Sequence, residues 1–346
     1  RCGSVGINDN FFSLGGDSIM SIQVVARARE AGINISAGML ETYPAISELM
    51  SIERVFPLKK KEEDKILTGE VPLIPVQEWF FEQDFEDFNH FNQAFLFTLK
   101  QPGDREIIEK TLNILTNHHD SLRLRFKKEE SWIQYYETPE KTSVSVDMTD
   151  LSSVSEDISD FITGKCNSLQ RSLNITEGPV IRACLFKGHG DGKDRLFIAI
   201  HHLCIDMVSW RIILGDFNGI YKRLSDGLTA LLPGKTSSYR DWSETLRDYV
   251  SEGETYRPYW LSVLKDSTAM PVQYKESTYS DISNYKISMS CHETELLLNN
   301  LPSAYNTQIN DILLSALLMA FYRSLNVPDL LINLEGHGRE ETIGEV

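Results

Sequence analysis

Cysteine is scarce in this sequence, and its placement argues against two common kinds of site. The chain has five cysteines, which are Cys2, Cys166, Cys184, Cys204 and Cys291. Their number is odd, they are scattered along the chain, and no two of them form a Cys-x-x-Cys pair. This pattern argues against a disulfide framework and against a zinc site built from cysteines. We therefore expect reduced thiols and no bound metal.

Long apolar runs and positive charge are scarce as well. A membrane-spanning helix needs about 20 consecutive apolar residues, whereas the longest helical-looking apolar segment, 309–325, is interrupted by polar residues. Residues 1–6 contain no apolar signal region. The 34 Lys and Arg are outnumbered by 50 Asp and Glu, which gives a net charge of −16 and repels nucleic-acid phosphates and anionic membranes. We expect a cytoplasmic protein without nucleic-acid or membrane partners.

The length of 346 residues predicts two domains at about 150 residues each. Hydrophobic residues make up 41% and charged residues 24% of the chain, which is typical of a globular protein. Residues 56–70 have almost no periodic apolar content, and their three consecutive lysines are followed at once by acidic residues. This segment therefore predicts a solvated linker rather than a nucleic-acid patch. It separates a small domain, 1–55, from a larger one.

Hydrophobic periodicity predicts both helices and strands. Helical spacing is found over 18–31 (with Gly32 as the stop), 45–54, 104–118, 207–224 and 307–325. β-forming residues are concentrated at 91–99 and 195–200, and the short apolar run 330–334 predicts a buried strand. Helices and strands alternate along the chain, so we predict an α/β fold, with α+β as the alternative.

The first motif covers residues 9–19, DNFFSLGGDSI. Its two glycines permit a tight turn, and Ser18 then stands at the start of the predicted helix, where the helix dipole favours an attached phosphate. On physical grounds alone, a plain helix cap is the better interpretation. The whole string, however, resembles the phosphopantetheine attachment motif of thiolation (peptidyl carrier) domains. That resemblance implies that Ser18 carries a covalent phosphopantetheine.

The second motif covers residues 200–210, IHHLCIDMVSW, between a predicted strand and a predicted helix. A histidine can accept or donate a proton near neutral pH. Neighbouring residues of a strand point to opposite faces, so we expect one histidine to face a cavity and the other the interior. Metal binding and packing are the alternatives, but no usual ligand spacing accompanies the pair. Cys204 lies between apolar neighbours, which predict that its thiol is buried and inert.

The pattern His-His-x-x-x-Asp resembles the active-site motif of the condensation superfamily of nonribosomal peptide synthetases, whose fold is related to chloramphenicol acetyltransferase. The resemblance implies that His202 is catalytic and that His201 and Asp206 have structural roles beside the active site. Met207 stands where the family usually has glycine.

The third motif covers residues 333–340, NLEGHGRE. By itself it could be a polar loop, but it resembles the signature that separates epimerization domains from ordinary condensation domains. The resemblance implies that Glu335 is catalytic, and we expect Arg339 to pair with Asp206. Further strings match the same family in the same order: 72–82, 90–94, 118–123, 209–211 and 311–316. The pair at 118–119 imitates a catalytic histidine pair, but we interpret it as a structural helix end.

Together, these resemblances imply a carrier domain (1–55), a linker (56–70), and the N-terminal lobe (71–240) and C-terminal lobe (241–346) of an epimerization domain. We expect the carrier to be truncated at its N-terminus, because only ten residues precede Phe11, and the second lobe to be incomplete. The two-lobed domain would have a chloramphenicol-acetyltransferase-like α/β fold.

The implied reaction is epimerization of the α-carbon of a carrier-bound aminoacyl or peptidyl thioester, with His202 and Glu335 as the acid and base and with no metal. The implied partners are an upstream adenylation domain, a downstream condensation domain and a phosphopantetheinyl transferase. Two alternatives remain open. The chain could be a peptide-bond-forming condensation enzyme, or a non-catalytic module of the same fold that recruits partners.

Overall fold

The computed structural model describes residues 4–16, 18–33, 35–52, 66–83, 85–265, 282–305, 307, 309–336, 338 and 343. The predicted linker lies outside these residues up to position 65. Its last residues are described, and Gly69 and Glu70 belong to the first strand.

Three helices lie in the described part of residues 1–55: α1 (Ser18–Glu30), α2 (Ala37–Thr42) and α3 (Ile46–Leu49). Gly32 has a φ of +80° just after α1, as expected of a glycine that ends a helix, so the predicted helix end is confirmed. The helix predicted over 45–54 is only four residues long. Buried Ile35, Leu40 and Leu49 form a small hydrophobic core in this segment.

The described residues contain two sheets, both between positions 69 and 201. Their strands are β1 (Gly69–Val71), β2 (Asn92–Thr98), β3 (Leu124–Lys128), β4 (Trp132–Tyr136), β5 (Val146–Asp150), β6 (Ile181–Lys187) and β7 (Arg195–His201). The smaller sheet is antiparallel, in the order β1-β4-β3. The larger sheet has the order β2-β7-β6-β5, in which only the β5–β6 pair is parallel.

Nine further helices are described. They are α4 (Pro75–Glu82), α5 (Arg105–His118), α6 (Ile158–Arg171), α7 (Met207–Ser225), α8 (Tyr239–Glu252), α9 (Arg257–Lys265), α10 (Cys291–Glu295), α11 (Leu301–Tyr305) and α12 (Ile309–Leu325). The helices predicted over 104–118, 207–224 and 307–325 are thus confirmed. The mixed helix and strand content also confirms the predicted α/β class.

The larger sheet is covered on both faces, which explains why its central strands are almost continuously apolar. Along β6, Ala183 and Leu185 join the core that includes residues of α5 and α7, whereas Cys184 and Phe186 join a second core with residues of α6. This alternation is the period of two expected of a strand. Near the C-terminal end of β7, Ala199 packs into the second core and Ile200 into the first.

The chain divides into two compact units, one of which contains Gly16–Val250 and the other Ser251–Arg339. In the second unit, the apolar run 330–334 has no strand geometry, and Leu331 and Leu334 are 54% and 67% exposed. The prediction of a buried strand here was therefore wrong. An apolar run becomes a strand only when another strand satisfies its backbone groups, and none of the described residues pairs with this run.

Candidate active site

The His-His motif lies at a transition between three elements. His201 is the last residue of β7, His202–Cys204 form a short 3-10 helix, and α7 begins at Met207. The sequence placed this motif between a strand and a helix, and the structure confirms that position.

His201 belongs to the interior. Its side chain is fully buried, its Nε2 lies 2.8 Å from the carbonyl oxygen of Phe88, and its Nδ1 accepts a hydrogen bond from the backbone N–H of Leu203. Burial lowers the pKa of His201 to about 4, although the hydrogen bond to Phe88 acts in the opposite direction. This ring is therefore a neutral structural group, as the sequence predicts for one member of the pair.

His202 is only half-buried and is held from three sides. Its Nδ1 lies 2.9 Å from the carbonyl oxygen of Ile205. Its ring stacks on Phe91, with centroids 5.2 Å apart and an interplanar angle of 13°. Its backbone N–H donates to the carbonyl oxygen of Phe91. A half-buried imidazole with a fixed orientation has the properties required of a general acid or base.

The remaining ring nitrogen of His202 contacts a residue that the sequence analysis did not single out. Gln93 Nε2 lies 3.1 Å from His202 Nε2, and Trp210 Nε1 donates to Gln93 Oε1 at 2.9 Å. Gln93 lies in β2 and Trp210 in α7. The signal that could have identified Gln93 is its place on the same strand face as Phe95 and Phe97, where a polar side chain is unusual.

Asp206 caps the N-terminus of α7. Its carboxylate accepts a hydrogen bond of 2.6 Å from the backbone N–H of Ser209, which agrees with the structural role implied for it. Met207, which replaces the family's glycine, is the first residue of α7 and is not among the positive-φ residues. Arg339, the predicted partner of Asp206, lies outside the described residues.

Two other candidates have structural surroundings. Cys204 is 5% exposed, and burial raises its thiol pKa to about 12, which confirms the predicted buried thiol. His119 directly follows α5 as its C-cap, as predicted for a helix end. Its Nε2 lies 2.8 Å from Asp216 Oδ2 on α7, so it ties two helices together.

Glu335 lies in the second compact unit, in a stretch without regular secondary structure, and its side chain is exposed. It follows the run 330–334 that we expected to be a strand, so its predicted place at a strand end was wrong. His337, Arg339 and Glu340 of the third motif lie outside the described residues. The motif is therefore described only in part, and the pairing of Glu335 with His202 stays a prediction.

The first motif forms a tight turn followed in the chain by a helix. Asn10 Oδ1 accepts hydrogen bonds from the backbone N–H groups of Phe12 and Ser13, and Gly15 adopts a φ of +89° with open space where a side chain would stand. Ser18 is the first residue of the 13-residue helix α1. A serine at a helix start after a glycine turn fits a phosphodiester attachment, because the helix N-terminus favours an anion.

The described residues contain neither a membrane-spanning helix nor a cluster of metal ligands. None of their helices is long and apolar enough to cross a membrane, and no group of three or more His, Cys, Asp and Glu side chains among them could hold a metal ion.

Comparisons with protein families match both parts of the chain. Residues 67–345 match the Condensation domain, and residues 2–51 match the Phosphopantetheine attachment site.

Among curated proteins, the chain is 39% identical to one of the linear gramicidin synthase proteins of Brevibacillus parabrevis, over 98% of this chain and 4% of that protein. It is 36% identical to gramicidin S synthase 1 of Brevibacillus brevis, over 99% and 31% respectively. It is 34% identical to tyrocidine synthase 1 of Brevibacillus parabrevis, over 98% and 31%. The chain thus spans less than a third of the length of these relatives.

Among solved structures, the chain is similar to the epimerization domain from the third module of tyrocidine synthetase B, with a TM-score of 0.74 and 30% identity. That likeness covers 82% of this chain and 65% of the other. The starter condensation domain of rhizomide synthetase RzmA gives a TM-score of 0.50 at 19% identity, over 58% of this chain and 49% of the other, which is a likeness of fold alone.

Proposed function

Because the chain belongs to the condensation-domain family of nonribosomal peptide synthetases and also carries a phosphopantetheine attachment site, we propose that it epimerizes the α-carbon of an aminoacyl or peptidyl thioester. The observation that carries the proposal is the likeness to the tyrocidine synthetase B epimerization domain, which extends over 82% of this chain. The motif at residues 333–340 supports the same reaction.

We assign the covalent phosphopantetheine to Ser18. When bound, this group holds the substrate as a thioester, in which the α-proton is more acidic than in an amide. A phosphopantetheinyl transferase would modify the serine, an upstream adenylation domain would supply the aminoacyl group, and a downstream condensation domain would consume the product. These partners belong to the proposal.

Epimerization needs a base on one face of the α-carbon and an acid on the other. We assign these roles to His202 and Glu335. One takes the α-proton, the electron pair of the broken C–H bond passes to the thioester carbonyl as an enolate, and the other returns a proton to the opposite face. The fixed ring of His202, held by Ile205 and Phe91, supports its role in the proton transfer.

Condensation is the competing function, because the matched family is described by that name. A condensation enzyme would use the same His-His-x-x-x-Asp segment to join two carrier-bound substrates. A non-catalytic recruiting module would have no use for a positioned imidazole, and His202 argues against it.

Mass spectrometry of the loaded carrier separates these functions. A phosphopantetheinyl transferase would load Ser18 from a panel of L-aminoacyl-coenzyme A probes, and the protein would then be incubated in deuterated water. Epimerization predicts deuterium at the α-carbon and a mixture of D and L residues after release. Peptide formation with a second loaded carrier, without α-deuterium, would instead establish condensation. If neither α-deuterium nor a peptide formed, the result would favour the recruiting module.

Glu335→Gln tests the second acid/base group, because it keeps the size of the side chain but removes the carboxylate. Exchange should fall by about 10²–10⁴-fold. Glu295→Gln is the matched control, since Glu295 is also an exposed carboxylate in the described part of the second unit. Near-normal exchange in a folded Glu335→Gln protein would remove Glu335 from the mechanism.

A further inference from the structure

The orientation of the Gln93 amide is determined by Trp210. An indole N–H can only donate a hydrogen bond, and Trp210 Nε1 lies 2.9 Å from the end of the Gln93 side chain. The atom of Gln93 at that end must therefore be the oxygen. A flipped amide would place two donors against each other at a tryptophan that is only 1% exposed.

The same orientation determines which nitrogen of His202 carries the proton. With its oxygen held by Trp210, Gln93 presents its NH₂ group to His202 Nε2 at 3.1 Å. His202 Nε2 must accept this hydrogen bond, which requires an unprotonated nitrogen with a free electron pair. At the other side of the ring, the carbonyl oxygen of Ile205 can only accept, so Nδ1 carries the proton that it donates at 2.9 Å.

The three side chains come from rigid elements. Gln93 pairs in register with Ile200 of β7, one residue before the His-His pair. Trp210 packs edge-to-face against Phe95, with ring centroids 4.9 Å apart, and Phe95 lies on the same face of β2 as Gln93 because side chains alternate along a strand. A site on strands and helices holds its geometry better than a site on loops.

We propose that Gln93, oriented by Trp210, is a positioning residue that holds His202 in the Nδ1–H tautomer, with the electron pair on Nε2. One part of this inference rests on the proposed function, namely that His202 Nε2 exchanges the α-proton of the substrate. The assignment of the tautomer does not depend on it. In the opposite tautomer, an Nε2–H would meet the amide donors of Gln93, and a bare Nδ1 would meet the carbonyl oxygen of Ile205. Both contacts would be repulsive, so this tautomer is excluded at rest.

The decisive variant is Gln93→Glu. The new carboxylate can still accept from Trp210, but it can also accept from His202 and cannot donate to it. The variant should therefore place a proton on Nε2, where the wild-type ring has an electron pair. α-Proton exchange should fall by about 10²–10⁴-fold, the usual effect of losing a general base. Gln170→Glu, on α6, is a matched control, because the side chain of Gln170 donates to the backbone carbonyl of Cys166 in its own helix.

Nitrogen-15 NMR of histidine-labelled holo-protein reads the tautomer directly, and the His202 signals are assigned by their loss in His202→Ala. At mildly alkaline pH, the wild-type ring should show a protonated Nδ1 and a bare Nε2, and Gln170→Glu should show the same. Gln93→Glu should show a protonated Nε2. A wild-type ring protonated on Nε2, or a Gln93→Glu ring with the wild-type pattern, would overturn the proposal.

Trp210→Phe provides a second route if Gln93→Glu does not fold. It keeps the aromatic packing but removes the indole N–H, so the amide of Gln93 can flip. Because the Ile205 carbonyl still favours Nδ1–H, the NMR signals should report a minor share of the Nε2–H form that the wild-type protein lacks. A pure Nδ1–H signal in this variant would show that the Ile205 carbonyl alone fixes the tautomer, and it would overturn the positioning role of Gln93 and Trp210. The NMR result is independent of turnover, so failure of the proposed epimerization would appear only in the deuterium measurement.

Discussion

His201 and His202 are consecutive residues with opposite surroundings. His201 is fully buried and bonded to the Phe88 carbonyl, whereas His202 is half-buried, stacked on Phe91 and bonded to Gln93. The turn from β7 into the 3-10 helix separates them. The two histidines should therefore respond differently to pH and to substitution.

Acid should destabilise the protein through His201. Burial lowers its pKa from 6.5 to about 4, so between these values the unfolded state binds a proton that the folded state does not. Stability should be complete above about pH 6.5 and fall by about 3 kcal/mol as the pH drops to about 4. Urea denaturation across this range measures the loss. His201→Gln cannot titrate and should show a weaker pH dependence. If the free energy of unfolding of His201→Gln depended on pH as strongly as that of the wild type, the prediction would be wrong.

Asp206→Ala should destabilise α7. Removing the carboxylate leaves the Ser209 N–H without its cap, which costs about 1–2 kcal/mol in comparable helices. Thermal unfolding should show the loss as a lower melting temperature. Asp206→Asn is the control, because its side-chain oxygen can still accept the bond. An equal loss in both variants would assign the effect to charge rather than to capping.

His202→Ala should lower α-proton exchange by about 10²–10⁴-fold without a comparable loss of stability. His119→Ala should lower the stability and leave α-proton exchange nearly unchanged. His119 links its helix to Asp216 and has no assigned role in proton transfer. Deuterium exchange and thermal unfolding are measured on both proteins. Equal losses of α-proton exchange in folded His202→Ala and His119→Ala proteins would contradict this division of roles.

Ser18→Ala should abolish phosphopantetheine attachment, since no other hydroxyl occupies its place at the start of α1. Intact-protein mass spectrometry after treatment with a phosphopantetheinyl transferase and coenzyme A measures the added mass. Ser13→Ala, in the preceding turn, should be modified normally. A modified Ser18→Ala protein would contradict the assignment.

Thiol reactivity should separate Cys291 from Cys204. Cys291 is exposed, whereas burial raises the thiol pKa of Cys204 to about 12 and also blocks access. Iodoacetamide should therefore label Cys291 in the native protein and Cys204 only after denaturation, as peptide mass spectrometry can show. Rapid labelling of Cys204 in the native state would mean that the end of β7 opens readily.

The sequence by itself determined the parts of this protein that depend on local order. Helical periodicity located α5, α7 and α12 to within a few residues, because a helix bonds to itself and presents one face to the core. The contiguous motifs at 9–19 and 200–210 contain Ser18, His201, His202 and Asp206. These motifs indicated the cofactor and the family without any long-range information.

Only the tertiary structure decided what depends on distant partners. The run 330–334 has the composition of a strand, but strand formation requires a partner that composition does not reveal. Gln93 contacts His202 across 109 residues and Trp210 across 117 residues of the chain. Neither contact has a local signature, because strand register and helix packing bring these side chains together. The same packing determines which ring nitrogen of His202 is free to accept a proton.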